Sequence, residues 1–344
     1  MYLDVDKIYC GDSKELLKKI KPDSIALSVW SPPYHVGKEY EKGMTYVEWK
    51  TMLSKVISLH KQILKPGAFM AINISDIICF KDESMPKIMA ENISRRKVSI
   101  TKEQINDVWG KNKSLSRKQV ALMLGCSEQT VDRRVNGNNV RGGKYQSQTR
   151  VNLTGGMLEE IAYKSSLYLY DRRVWAKDPA WENSKWHSIS YRAIDEFEYV
   201  YIFWKPGITV VDRSRLTKDE WTNWGSRAVW NIASVRSNSD HEAKFPLELP
   251  RRLIQLLTDE GDTVLDCFVG SGTTAAAAII ENRRYIGIDK ERKYAMLAEE
   301  VCKSTQANIK NLKNQASMDA IADFRPTNNL TIADVTDVEY IKVG

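Results

Sequence analysis

The stretch Asp262-Thr263-Val264-Leu265-Asp266-Cys267-Phe268-Val269-Gly270-Ser271-Gly272-Thr273-Thr274 runs from an apolar segment into a glycine turn, and an alanine-rich run, Ala275 to Ile280, follows. This predicts strand, turn, helix: glycines let the backbone approach a ligand closely, and small alanines suit a helix packed on a sheet. Tyr285-Ile286-Gly287-Ile288-Asp289 reads as a further strand closed by an acid. That acid stands about twenty residues past the glycines, where a ribose-binding carboxylate is expected in nucleotide folds. A glycine turn alone is weak evidence, but two strands each closed by an aspartate strengthen it.

Far upstream, the apolar run Ile25 to Trp30 reads as a buried strand and ends in Ser31-Pro32-Pro33-Tyr34. Two prolines give up ladder donors, so the carbonyls and side chains here project from the sheet's edge, a place for chemistry and not for packing. Residues 49–64 have helical periodicity and stop at Lys65-Pro66-Gly67, and Ala68 to Ile74 reads as a strand. Tyr199 to Trp204 reads as another, closed again by Lys205-Pro206-Gly207. Phe245 to Leu257 reads as an amphipathic helix with Pro246 at its start, feeding the strand before the glycine turn. Beyond Lys303 the chain turns polar and is expected to form a terminal helix and a loosely docked tail.

With 344 residues the chain can bury a full core. Its five cysteines, Cys10, Cys79, Cys126, Cys267 and Cys302, are scattered with no close pair, which indicates neither a zinc cluster nor a disulfide framework. Asp4 and Asp6 spoil a signal peptide, and no apolar run reaches the roughly eighteen residues of a membrane span, so a cytoplasmic location and no metal or membrane partner are expected.

The net charge of +7 is concentrated: residues 85–150 hold fourteen Lys or Arg against five Asp or Glu, a surplus of nine. A polyanion is the natural partner of such a segment, although a solvated lysine-rich helical insert would look the same. Within it, Ala121, Gly125 and Val131 fall where a helix-turn-helix needs close helix approach, a tight turn and a buried contact. Ser127 suits the N-cap of the second helix, and Glu128, Gln129, Thr130, Arg133 and Arg134 are expected to project outward as base or phosphate readers. Two small spacer helices are the plainer alternative. A turn-rich basic loop follows, with Arg141 and Lys144 as further DNA-binding candidates.

Taken together, these residues resemble the amino-methylating, S-adenosylmethionine-dependent DNA methyltransferases. The likeness rests on Ser31-Pro32-Pro33-Tyr34, on Asp266 through Thr274, and on His241 with Phe245-Pro246 and Leu249. With the tetrapeptide first and the glycine turn last, the order is similar to that of the circularly permuted beta class. Cys267 departs from the proline many members carry there. The resemblance implies an α/β fold, a circularly permuted Rossmann-like methyltransferase sheet with a helical, helix-turn-helix-containing target-recognition insert. The expected divisions are 1–84 and 161–303 for the catalytic domain, 85–160 for the insert and 304–344 for the tail.

By the same resemblance Ser31 and the Pro32 carbonyl accept from the two N–H bonds of an exocyclic amine, Pro33 fixes the turn, and Tyr34 stacks on a base flipped out of duplex DNA. Phe245, Phe268, Gly270, Ser271, Gly272 and Thr273 frame S-adenosylmethionine, Asp289 accepts from its ribose, and Asp266 holds its amino group. Asp12 is the acid near the adenine, but with Glu15 it also reads as a capping box, and Asp289 could be only a helix cap before Glu291. His241 shapes the nearby loop. The chain has no Pro-Cys dipeptide, which argues against carbon-5 cytosine chemistry. Serine at the head of the tetrapeptide favours cytosine N4, with adenine N6 as the alternative; a non-catalytic DNA-binding regulator and RNA or protein-glutamine methylation are the remaining rivals. A cognate restriction endonuclease and a homodimer are expectations from the family alone.

Overall fold

A computed structural model of the chain describes residues 1–34, 44–91, 100–136, 144–179, 192–235 and 245–315. Strand β1 (Lys7–Cys10) leads into the short helix α1 (Ser13–Leu16), and the apolar run forms β2 (Ile25–Trp30), buried at every position. Helix α2 (Tyr46–Ile63) opens on a capping box between Thr45 and Glu48 and buries Trp49, Leu53, Val56, Ile57, His60 and Ile63, spacings that put them on one face. It passes directly into β3 (Leu64–Ile74), so Lys65-Pro66-Gly67 begins the strand where a separate terminator was expected. Gly67 takes φ 82°, and its N–H donates to Lys205 of the second Lys-Pro-Gly turn, so the two turns lie against each other.

Next come β4 (Ile77–Lys81), β5 (Ile88–Glu91), α3 (Lys102–Lys111), α4 (Arg117–Met123), α5 (Glu128–Asn136), β6 (Lys144–Ser147) and β7 (Thr149–Asn152). Then follow α6 (Thr154–Lys164), β8 (Tyr168–Ala176), β9 (Phe197–Trp204), α7 (Lys218–Glu220), β10 (Val229–Asn231), α8 (Glu248–Leu257), β11 (Thr263–Asp266), α9 (Thr273–Ile280), β12 (Arg284–Asp289) and α10 (Arg292–Gln315).

Among the described residues the main sheet has eight strands in the order β1-β12-β11-β2-β3-β9-β8-β10. The first five of these are mutually parallel, and β9 runs antiparallel to both β3 and β8. Strand β2 feeds two apolar layers, its register shifting between Ile25 and Leu27: Ile25 and Trp30 join Trp49, Leu53 and Leu158 of α2 and α6, whereas Leu27 and Val29 join Leu253 and Ala277 of α8 and α9. A parallel strand covered by helices on both faces reads as one apolar run for this reason. Chain order moves from β11 to β12 on one side and from β2 to β3 on the other, so the sheet reverses direction between β11 and β2.

The chain divides into two compact units, Met1–Phe80 with Val151–Asp178 and Glu196–Gly344, and Lys81–Arg150 with Pro179–Asp195. The insert expected over 85–160 is therefore displaced at its end: Met157, Leu158, Ile161 and Ala162 of α6 are buried in the sheet's own core. Of residues 304–344, expected to carry a terminal helix and a tail, those up to Gln315 continue α10, with Thr305 buried, and the rest lie outside the described residues.

In the second unit α3, α4 and α5 close around Ile105, Val120, Ala121 and Val131, all buried. Capping boxes at Thr101/Gln104 and Ser116/Gln119 start α3 and α4. Gly125 ends α4 at φ 62°, with open space around it, so the left-handed backbone is what calls for glycine there. The hydroxyl of Ser127 accepts from the Thr130 N–H at the head of α5. Strands β5 and β6 pair antiparallel.

Candidate active site

Parallel strands end at the same edge of a sheet, and Val264 and Leu265 of β11 pair in register with Leu27 and Ser28 of β2. The glycine turn after β11 and the proline tetrapeptide after β2 thus leave side by side, at the point where the strand order reverses. Open α/β sheets bind ligands in the crevice at such a point. The rings of Trp30 and Phe268, the residues leading into the two turns, are 5.4 Å apart. On the far side Cys10 of β1 pairs with Asp289 of β12, which brings Asp12 and Asp289 to the same edge.

Pro32 is buried, and the Pro33 carbonyl accepts from the Trp49 indole of α2 at 2.7 Å, which fixes the turn. The Ser31 hydroxyl donates to the Tyr34 hydroxyl at 3.1 Å, and Tyr34 donates to Oε2 of Glu198 on β9 at 2.7 Å. Glu198 is 8% exposed, and its Oε1 accepts from Lys177 Nζ at 2.8 Å. Buried Asn73 of β3 donates to the Tyr199 carbonyl, and its side chain lies 3.4 Å from the Tyr34 hydroxyl. Glu198, Lys177 and Asn73 escaped the sequence reading, because long-range strand pairing is what brings them to the tetrapeptide. A signal was present: Glu198 and Asn73 interrupt otherwise apolar or aromatic strand runs, and buried polar groups need partners.

At the glycine turn, Asp266 is 2% exposed; its carboxyl accepts from the Phe268 N–H at 2.9 Å and from the Thr274 hydroxyl at 2.6 Å. Burial pushes its pKa up to about 7, against the two hydrogen bonds that lower it. Asp289 is likewise raised by burial; one carboxylate oxygen accepts from the Gly270 N–H and the other from the Glu291 N–H. Glu291 precedes α10, so this second bond closes a turn ahead of the helix, and the same carboxylate ties the glycine turn to β12. Gly270 and Gly272 take φ 51° and 90°, and a Cβ on Gly272 would come within 2.9 Å of the Ala298 Cα of α10. Gly272 therefore answers to helix packing as well as to any ligand. Ser271 and Thr273 are buried with their hydroxyls 3.4 Å apart, and Phe245 packs half-buried against the α8–α9 layer. Asp12 caps α1, accepting from the Lys14 N–H, but Glu15 pairs with Lys18, so the expected box is not formed. His241 lies outside the described residues.

In the second unit, Glu128 and Gln129 are exposed on α5, whereas Thr130, Arg133 and Arg134 are half-buried. The Thr130 hydroxyl lies 2.9 Å from that of Ser127, so it serves the helix cap where an outward reader was expected. Lys144 opens β6, and Arg141 lies outside the described residues. Among the described residues no helix is long and apolar enough to cross a membrane, and no group of three His, Cys, Asp or Glu could hold a metal ion.

Sheet order and the helices on both faces define a doubly wound α/β protein. Residues 25–300 match the DNA methylase family N6_N4_Mtase. M.BglI, a type II methyltransferase of Bacillus subtilis, is 59% identical over 297 residues, covering 86% of this chain and 85% of its own. Among solved structures, TTHA0409 of Thermus thermophilus, complexed with S-adenosyl-L-methionine, superimposes with a TM-score of 0.56 at 22% identity over 87% of this chain and 93% of its own. The cytosine-N4-specific PvuII DNA methyltransferase gives 0.55 at 18% identity over 94% and 92%. These two show the shared fold. The chain belongs to the N6/N4 family of amino-methylating DNA methyltransferases.

Proposed function

We propose that this chain is a site-specific methyltransferase that moves a methyl group from S-adenosylmethionine to the exocyclic N4 of cytosine in duplex DNA. The observation that carries the reading is the exit of the two turns side by side, on adjacent parallel strands, at the sheet's reversal point.

The residues present suit the cofactor. Asp266 is a buried carboxyl whose described surroundings supply hydrogen-bond donors but no cation, which fits the ammonium of a methionine moiety. Gly270 and Gly272 keep the adjoining backbone free of side chains, and Asp289 stands at the neighbouring strand end to receive ribose hydroxyls. Bound there, S-adenosylmethionine supplies an electrophilic methyl on its sulfonium.

An exocyclic amine on a nucleobase is a poor nucleophile because its lone pair is delocalised into the ring. Two acceptors aimed at its N–H bonds favour the pyramidal nitrogen that attacks. Ser31 Oγ and the Pro32 carbonyl fill these roles. Tyr34 offers its ring face to a base flipped from the duplex, which costs roughly a few kcal/mol of unstacking. Serine is a neutral, short acceptor, which favours cytosine N4; adenine N6 is the second reading, since either amine presents two N–H bonds. Helix α5 of the second unit, with Gln129, Arg133 and Arg134, and the basic Arg141 and Lys144 beyond it, engage the DNA. Pairing with a restriction endonuclease belongs to the same proposal, supported by the likeness to a type II methyltransferase, M.BglI.

Modified-base sequencing of DNA from cells expressing the chain tests this directly: a new N4-methylcytosine in a fixed sequence context is expected. The Ser31→Ala variant should bind DNA and cofactor normally yet leave no modified base. Modification that persists in Ser31→Ala would remove the tetrapeptide from the chemistry, and N6-methyladenine would select the second reading.

A further inference from the structure

A serine hydroxyl donates as readily as it accepts, whereas an amine about to attack needs acceptors only. Something must turn the Ser31 proton away from the base. We infer that Glu198, held by Lys177, sets the direction of the hydrogen bonds that end at Ser31, and so acts as a positioning residue for the acceptor.

The geometry runs in one sense. Lys177 Nζ donates to Glu198 Oε1 at 2.8 Å, with both side chains at most 13% exposed, so screening by water is slight. A carboxylate can only accept, so the Tyr34 hydroxyl, 2.7 Å from Oε2, gives it its proton. The Tyr34 oxygen is then the acceptor for Ser31 at 3.1 Å. With its only proton committed to Tyr34, Ser31 Oγ has lone pairs left for the crevice. Charge-assisted bonds of this kind are the strong ones, and a chain of them polarises each member. This rests on the role proposed above for Ser31.

Turnover of purified protein on unmodified genomic DNA, followed with tritiated S-adenosylmethionine, tests the idea. In Glu198→Gln one of the two oxygens that meet Lys177 and Tyr34 becomes a donor NH2, and kcat should fall about 10- to 100-fold while cofactor affinity and the KM for DNA change less than about twofold. Glu198→Asp, which keeps an acceptor-only group, should recover part of the loss. Tyr34→Phe, which keeps the ring and leaves the Lys177–Glu198 pair intact, should show a similar loss, and it serves as the test if Glu198→Gln fails to fold. Adding Glu198→Gln to Tyr34→Phe should cost almost nothing more, because both cut one chain. Wild-type kcat in Tyr34→Phe, or an undiminished loss from Glu198→Gln in that background, would overturn the inference. Ser31→Ala in the same assay separates the two failures: if it stays active, the role of Ser31 is wrong, and if it is dead while Glu198→Gln is fully active, only the role of Glu198 is.

Discussion

Lowering the pH from 7 to 5.5 should weaken S-adenosylmethionine binding about 15-fold, through one carboxyl. Burial raises the Asp266 pKa to about 7, because its donors, the Phe268 N–H and the Thr274 hydroxyl, only partly offset the lost hydration. The neutral acid therefore dominates below pH 7, whereas the ammonium of the cofactor prefers the carboxylate. Binding must first remove the proton. The ionised fraction is about one half at pH 7 and about one in thirty-three at pH 5.5, and apparent affinity falls in that ratio. An α-amino group titrates near 7.7–8.0, so the ligand itself stays protonated across this window. Calorimetry at both pH values, in buffers of different ionisation enthalpy, should find the weakening and the release of about one proton at pH 5.5. Asp266→Asn should bind weakly at both and release none. A flat wild-type affinity would refute the argument, since it would mean that the cation does not meet this carboxyl.

Two further substitutions probe the turn and the second unit. Gly272→Ala should lower stability by about 2 to 5 kcal/mol, combining a left-handed alanine with overpacking against Ala298, and a melting temperature within a degree or two of wild type would show that α10 yields freely. Replacing Arg133 and Arg134 together with alanine should reduce the slope of log affinity for duplex DNA against log salt by about two; an unchanged slope would move phosphate contact away from α5.

Much of the first unit was legible because its signals are local. The run Ile25–Trp30 became β2 with the bounds its composition set, and the glycine turn became the left-handed entry to α9. Adjacent elements whose own residues set their period and ends can be read without the rest of the chain. Long-range partners cannot. Nothing local to Thr154–Lys164 assigns α6 to the sheet's core, and nothing near Ser31 announces Glu198, about 170 residues later. Asp12 and Asp289 show the intermediate case: the cap at Asp12 was legible, but the turning of Glu15 to Lys18 was not, and only the paired backbone reveals that Asp289 holds the Gly270 amide. In the second unit the pair α4 and α5 follows from Ala121, Gly125 and Val131, but α3 and the side-chain directions on α5 do not, and the Thr130 hydroxyl lies against that of Ser127 at its own helix end.

The buried ionisable groups beneath the crevice also oppose one another in a way that Asp266→Asn would expose. His60, fully enclosed on α2, has its Nδ1 2.7 Å from the Val56 carbonyl and its Nε2 2.9 Å from Ser28 Oγ on β2, and burial drops its pKa to about 4. Unfolding lets this imidazole take a proton below about pH 6.5, so its contribution is complete above that pH and is lost as pH falls through 4. Asp266 acts in reverse: its folded pKa lies above the unfolded value, so its contribution is complete below pH 3.8 and is lost as pH rises through 7. Between pH 6.5 and 4 the unfolded chain binds one more proton at His60 and one fewer at Asp266, and the two slopes cancel. Asp266→Asn leaves the histidine unopposed. Without cofactor, its stability relative to wild type should drop by roughly 3 kcal/mol from pH 6.5 to pH 4, as followed by urea unfolding. A pH-independent difference would show that the carboxyl beside the glycine turn is ionised in the free protein, and the proton-linked binding argued for it would fall with that result.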